Sequence, residues 1–141
     1  MLRGTVGKIC FSRLLEGEDL LDAIKKRVEE SGIRAGAFLS IGALKEAEFG
    51  CYKARQYEYL HFDGPLEIVS CSGTIAVDEQ DEVLIHAHVV VSNEKGEASG
   101  GHLMKNSIVG VTAELVVIEA VGVTLQKIYD EKTNLKLLKL G

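Results

Sequence analysis

The spacing of apolar and polar positions switches once from a helical to an extended repeat. Leu20, Leu21, Ile24 and Val28 recur at helical spacing, with Lys25, Lys26, Arg27, Glu29 and Glu30 on the other side. Gly17-Glu18-Asp19 sets acidic residues at the positive end of this helix, and Ser31-Gly32 closes it with a left-handed glycine cap. The basic triplet Lys25-Lys26-Arg27 is then the helix's solvated face. Elsewhere the pattern is that of strands, at residues 6–11, 37–44 running on to 49–52, 57–62, 66–77, 83–91 and 111–123. Asp63-Gly64-Pro65 reads as a turn that ends the strand at 57–62, and Asn93-Glu94-Lys95-Gly96 as a hairpin turn. Residues 128–129 and 135–140 flank a polar stretch and form a terminal hairpin, with a short helical tail as the alternative for 135–140. One early helix and many strands predict an α+β domain with a mostly antiparallel sheet flanked by few helices. The very apolar strand at 111–123 is expected to be buried on both faces or to lie at a subunit contact.

Length and composition narrow this picture. At 141 residues the chain is expected to be a single domain, residues 1–141, large enough to hold a core without disulfides. No apolar run approaches the roughly 20 residues of a membrane span, and the first residues lack a signal peptide's apolar core, so a cytoplasmic location is expected. A net charge of −5 and the absence of any basic run beyond the triplet argue against direct nucleic-acid binding and against anionic membranes. Three cysteines, Cys10, Cys51 and Cys71, form no CxxC pair and sit in strand-like runs, where free thiols pack as small hydrophobes.

Candidate chemistry concentrates in the strand at 83–91. His86 and His88 are separated by one residue, so they share a face with Cα atoms roughly 6.5 Å apart. The odd positions Val83, Ile85, Ala87, Val89 and Val91 are all apolar, which puts the core behind the histidines. The turn at 93–96 folds the chain back, and Gly100-Gly101 lets backbones approach, so His102 comes alongside the pair. Three imidazoles with one position open are the ligand set of catalytic zinc, and they also suit nickel, copper or cobalt. Two exposed or hydrogen-bonded histidines are the plainer alternative for the HxH pair. His61 lies on another strand and reads as an edge residue. Glu94 and Glu97 belong to the turn. Glu67, Glu114 and Glu119 interrupt apolar runs and are candidate proton acceptors for a metal-bound water, with paired or edge carboxylates as the alternative. No hydrolase serine elbow or phosphate-binding glycine loop is present.

Several stretches together resemble the PPC domain, the plant and prokaryote conserved family related to the C-terminal domain of plant AT-hook proteins. They are Arg13-Leu14-Leu15-Glu16-Gly17-Glu18-Asp19-Leu20, Ile41-Gly42-Ala43-Leu44, the run from Gly64 to Gly73, His86-Ala87-His88 and Gly100-Gly101-His102-Leu103. The resemblance covers about residues 5–125. It implies an α+β fold assembled as a homotrimer, metal binding carried by His86, His88 and His102, and partner contacts through residues 64–70. Plant members usually lack these histidines, which implies that the fold itself does not require a metal. The Arg-Gly-Arg-Pro segment that takes plant members into the minor groove is absent here. The expected function is a homotrimeric assembly or regulatory module with a zinc site. A small metal-dependent hydrolase or lyase is the alternative, and a partner protein or small molecule is the expected ligand. DNA-binding regulation is disfavoured.

Overall fold

Buried and exposed side chains alternate along almost every strand, and the alternation explains how one helix suffices to close the core. The computed structural model describes residues 1–139. In chain order the elements are β1 (Thr5–Leu15), α1 (Leu20–Ser31), β2 (Gly36–Lys53), β3 (Gln56–Val77), β4 (Val83–Ser92), β5 (Ala98–Leu103), β6 (Ile108–Val121), β7 (Lys127–Asp130) and β8 (Leu135–Leu138). The antiparallel main sheet runs β1-β6-β2-β3-β4-β5, and β7-β8 form a separate hairpin. The α+β expectation holds, with α1 as the one helix among the described residues. None of these elements is a helix long and apolar enough to cross a membrane.

The long strand β2 has two partners on the same side. Its first half pairs with β6, from Gly36↔Glu119 to Glu46↔Ile108, and its second half pairs with β5 through Phe49↔Leu103 and Gly50↔His102. Strands β2 to β5 therefore close into a ring that ends at His102. Register shifts between Ser40 and Gly42 and between Leu44 and Glu46 supply the bend. Gly42 has φ 149°, and a Cβ there would stand 2.5 Å from Ala113 Cα, so only glycine fits where β2 passes β6 at this point.

Helix α1 follows from its sequence closely. Asp19 caps it by accepting from the Asp22 backbone N–H at 3.0 Å, and Gly32 ends it with φ 72°. Leu20, Ile24 and Val28 are buried against Leu14, Phe38, Ile75, Val89 and Leu115 of the sheet. Each such side chain contributes about 1.5–3 kcal/mol. Asp19 also accepts from the Asn106 backbone N–H at 2.7 Å, tying the helix start to the approach of β6. Asp19→Ala is expected to cost about 1–2 kcal/mol in a urea titration, while Asp19→Asn retains most of that stability.

Four sequence readings change. The turn expected at Asp63-Gly64-Pro65 does not form, and β3 runs unbroken from Gln56 to Val77. Leu44↔Leu66 is followed by Glu46↔Asp63, so the glycine and proline absorb a bulge, where proline's missing donor is tolerated. Of the two alternatives for the strand at 111–123, burial on both faces does not hold, because β6 is buried on one face only. Val109, Ala113, Leu115 and Val117 point inward, while Val111 is 79% exposed. Of the cysteines, Cys71 is buried and its thiol is pushed up to about 12 by burial, but Cys51 is exposed on the far end of the β2–β3 ribbon, opposite Glu58. In the basic triplet, Arg27 is tethered to Glu18 at 3.0 Å rather than free in solvent. The terminal hairpin forms as β7-β8; Leu140 lies outside the described residues.

The sheet face turned away from α1 is apolar and bare. Ile9 and Phe11 of β1, Leu39 and Ile41 of β2, and Val111 of β6 are all exposed on it. One cross-strand row runs Phe11–Val116–Leu39–Ser72–His88–His102. Its neighbour runs Ile9–Ile118–Ala37–Thr74–His86. The apolar expanse and the histidines thus occupy opposite ends of one face.

Candidate metal centre

The alternation of β4 behaves as its sequence demands. Val83, Ala87, Val89 and Val91 are buried, which turns His86 and His88 to the outer face. The turn at 93–96 is held by Asn93, whose side-chain oxygen accepts from the backbone N–H groups of Lys95 and Glu97, both at 3.0 Å. That turn sets His88 directly opposite His102. Ring centroids stand 5.2 Å apart for His86 and His88, 5.1 Å for His86 and His102, and 5.5 Å for His88 and His102. One ring nitrogen from each lies within 4.8 Å of the others.

The surroundings bias two of the rings, His86 and His102, toward the neutral form. Burial, followed by the His86, His88 and Lys127 charges, pushes His102 down to about 4. Burial first, then Lys127 and His88, also lowers His86. Their lone pairs are therefore available at neutral pH, as a ligand set requires. The Tyr57 ring stacks on His102 with centroids 4.7 Å apart, and its hydroxyl stands 3.5 Å from His102 Nδ1. Gly50 makes this stacking feasible, because a Cβ there would stand 2.7 Å from the Tyr57 ring.

A pH dependence follows. In metal-free protein the unfolded chain takes up a proton at His102 near 6.5, whereas the folded chain resists until about 4. This contribution to stability is fully present above 6.5 and is lost as pH falls toward about 4. Urea midpoints in chelator should drop between pH 7 and pH 4.5, and the drop should shrink in His102→Gln.

A cavity of about 590 Å³ opens beside the histidines. His86 and His102 form part of its wall, Leu125 and Lys127 another part, and Leu135 and Leu137 of β8 line the far side. The β7-β8 hairpin is fastened by Tyr52, whose hydroxyl donates to the Thr133 carbonyl at 2.6 Å, and by Lys136, which pairs with Asp78 at 2.8 Å.

The three acidic candidates do not join the site. Glu67 and Glu114 are exposed, with Glu114 in register with Arg13 and Ile41, and Glu119 accepts from the Lys8 backbone N–H at 2.9 Å. None lies in the histidine cluster or lines the cavity. The outer face is open here, so these carboxylates reach water despite apolar neighbours in sequence. Glu97 stays in its turn, accepting from the Asn93 side chain at 2.7 Å. His61 stands apart on β3, between Glu46 at 3.5 Å and Asp63 at 3.3 Å, as the expected surface residue. Tyr57 and Lys127 were not found from sequence, since each reaches the histidines only through long-range packing.

Comparison with known proteins decides the family. The model of the Plants and Prokaryotes Conserved (PCC) domain matches residues 1–121. The chain belongs to this family. The PCC fold is seen in a solved structure from Pyrococcus horikoshii described as a plant- and prokaryote-conserved protein, with TM-score 0.87, 29% identity and coverage of 99% of this chain and 95% of that one. A second solved structure, described as a metal-containing protein from Archaeoglobus fulgidus, has TM-score 0.89 and 32% identity, covering 99% of both chains. Among curated relatives, the bifunctional protein GlmU of a Synechococcus strain is 31% identical over 109 residues, 77% of this chain. The chain spans only 16–17% of the length of the two GlmU relatives that it matches.

Proposed function

We propose that this PCC-domain protein is a homotrimeric assembly module carrying one zinc ion on His86, His88 and His102. The observation that carries the metal reading is the convergence of three imidazoles, of which His86 and His102 are biased toward the neutral form, with nitrogens within 4.8 Å of one another. A zinc ion held there would take one nitrogen from each ring at about 2.1 Å. Tyr57 addresses His102 Nδ1, which leaves Nε2 of that ring for the metal. The similarity to a metal-containing protein of Archaeoglobus fulgidus adds support. A neutral three-nitrogen set suits zinc and also accepts nickel, copper or cobalt. Elemental analysis of untagged protein, expected to find one zinc per chain, tests the site. Protein free of metal after incubation with zinc would refute it.

Self-association is supported by the bare face. Ile9, Phe11, Leu39, Ile41 and Val111 form an exposed apolar group of a kind that soluble monomers rarely leave open. Light scattering should report the mass of three chains. The double variant Phe11→Asp/Val111→Asp should reduce it to one chain without loss of the strand signal in circular dichroism. A wild-type monomer at micromolar concentration would end the trimer reading.

The cavity beside His86 and His102 favours a second reading, a metal-dependent hydrolase or lyase that uses the open coordination position. A net charge of −5 weighs against nucleic acid as the direct partner. The cytoplasm is the compartment in which we place this protein.

A further inference from the structure

We propose that the cavity binds a small aliphatic monocarboxylate with a second oxygen donor beside its carboxyl group, chelating the ion on the three histidines while the carboxylate faces Lys127. This rests on the metal site proposed above and names the ligand class that the site is built for. The first support is the charge inside the cavity. Lys127 lines it, and none of the ion pairs among the described residues includes that ammonium. The other lysine of the lining, Lys136, is already committed to Asp78 at 2.8 Å. Among the described residues no carboxylate side chain lines the cavity. Burial disfavours the charged form of Lys127, so an anion arriving there relieves a standing desolvation cost. Lys127 shares the cavity wall with His86 and His102, which puts its ammonium in the same space as the ion's position.

The second support is the wall chemistry. Five leucines, Leu84, Leu125, Leu135, Leu137 and Leu138, line the cavity, and the hydroxyls offered are those of Tyr57 and Thr74. A phosphate group would bring more oxygens than these donors can satisfy, whereas one carboxylate is matched by one ammonium and one ion. The leucines require an apolar chain on the acid. A 2-hydroxy or 2-oxo group adds the chelating oxygen. Three protein ligands leave the ion with room for it.

The test is calorimetric titration of zinc-loaded, untagged protein with 2-hydroxy-4-methylpentanoate. The comparison titrants are its methyl ester, 4-methylpentanoate and inorganic phosphate. The hydroxy acid is expected to bind, with the ester and the deoxy acid each weaker by about tenfold or more. Lys127→Met should weaken the hydroxy acid by about tenfold at unchanged zinc content, and Lys127→Arg should restore most of it. Equal binding of acid and ester, undiminished binding by Lys127→Met, preference for phosphate, or no heat at about 10 mM acid with zinc in place would each overturn the proposal. Protein that takes up no zinc would instead overturn the metal centre beneath it, and elemental analysis of the same sample tells the two failures apart.

Discussion

His102→Ala is expected to empty the metal centre. Zinc per chain should fall from one to below about a tenth, because two imidazoles do not hold an ion against competing water and chelator. Zinc at about 100 times its dissociation constant stabilises the wild type by about 2.7 kcal/mol. At about 4 °C per kcal/mol, a chelator should lower the wild-type melting temperature by about 10 °C. The melting temperature of His102→Ala should not respond to chelator. His86→Ala and His88→Ala should behave alike, since each removes one of the three imidazoles that converge at this site. A variant that kept its zinc would show that the rings act separately. The insensitivity to chelator distinguishes this from ordinary damage, because His102 is part-buried and its truncation alone costs stability with or without metal.

Phe38→Ala is expected to remove about 3–5 kcal/mol, a large part of the roughly 5–15 kcal/mol that holds a domain of this size. Phe38 is 2% exposed near the start of β2, and its ring fills the space above Gly73, where an added Cβ would stand 2.7 Å from it. Gly73 pairs with Ala87, between the two histidines of β4, so the ring supports the strand that presents them. Chemical denaturation should show a lower midpoint at nearly unchanged slope. A loss of less than about 1 kcal/mol would mean that the cavity collapses without penalty and that Phe38 is not central to the core.

Much of the histidine site was legible because it depends on local rules. Two-residue alternation put His86 and His88 on one face, and the turn at 93–96 brought His102 back beside the pair, while its register opposite His88 is a finding of the structure. Helix α1 was equally readable, since its cap, apolar stripe and terminal glycine lie within a short span of chain. What escaped is set by distance along the sequence. Tyr57 reaches His102 across 45 positions, and no local period announces such a meeting. Lys127 arrives from the hairpin beyond β6, and its sequence neighbours say nothing of the histidines. The acidic candidates failed for a different reason. An isolated carboxylate among valines marks a buried site only when both sheet faces are covered, and here the face bearing Glu114 is open. Gly64-Pro65 misled because turns and bulges draw on the same residues for the same backbone freedom.

The double pairing of β2 restricts how its length can change. A one-residue deletion between Gly42 and Gly50 would invert every side chain beyond it and break two seams together, the one with β3 and the one that closes on His102. Length variation in this ribbon is therefore confined to its tip at Ala54-Arg55, where both residues already adopt positive φ. A reporter loop or fusion graft belongs there. The cost would fall on Arg55, which donates to the Glu131 carbonyl and helps anchor the hairpin over the cavity, rather than on the frame that aligns the imidazoles.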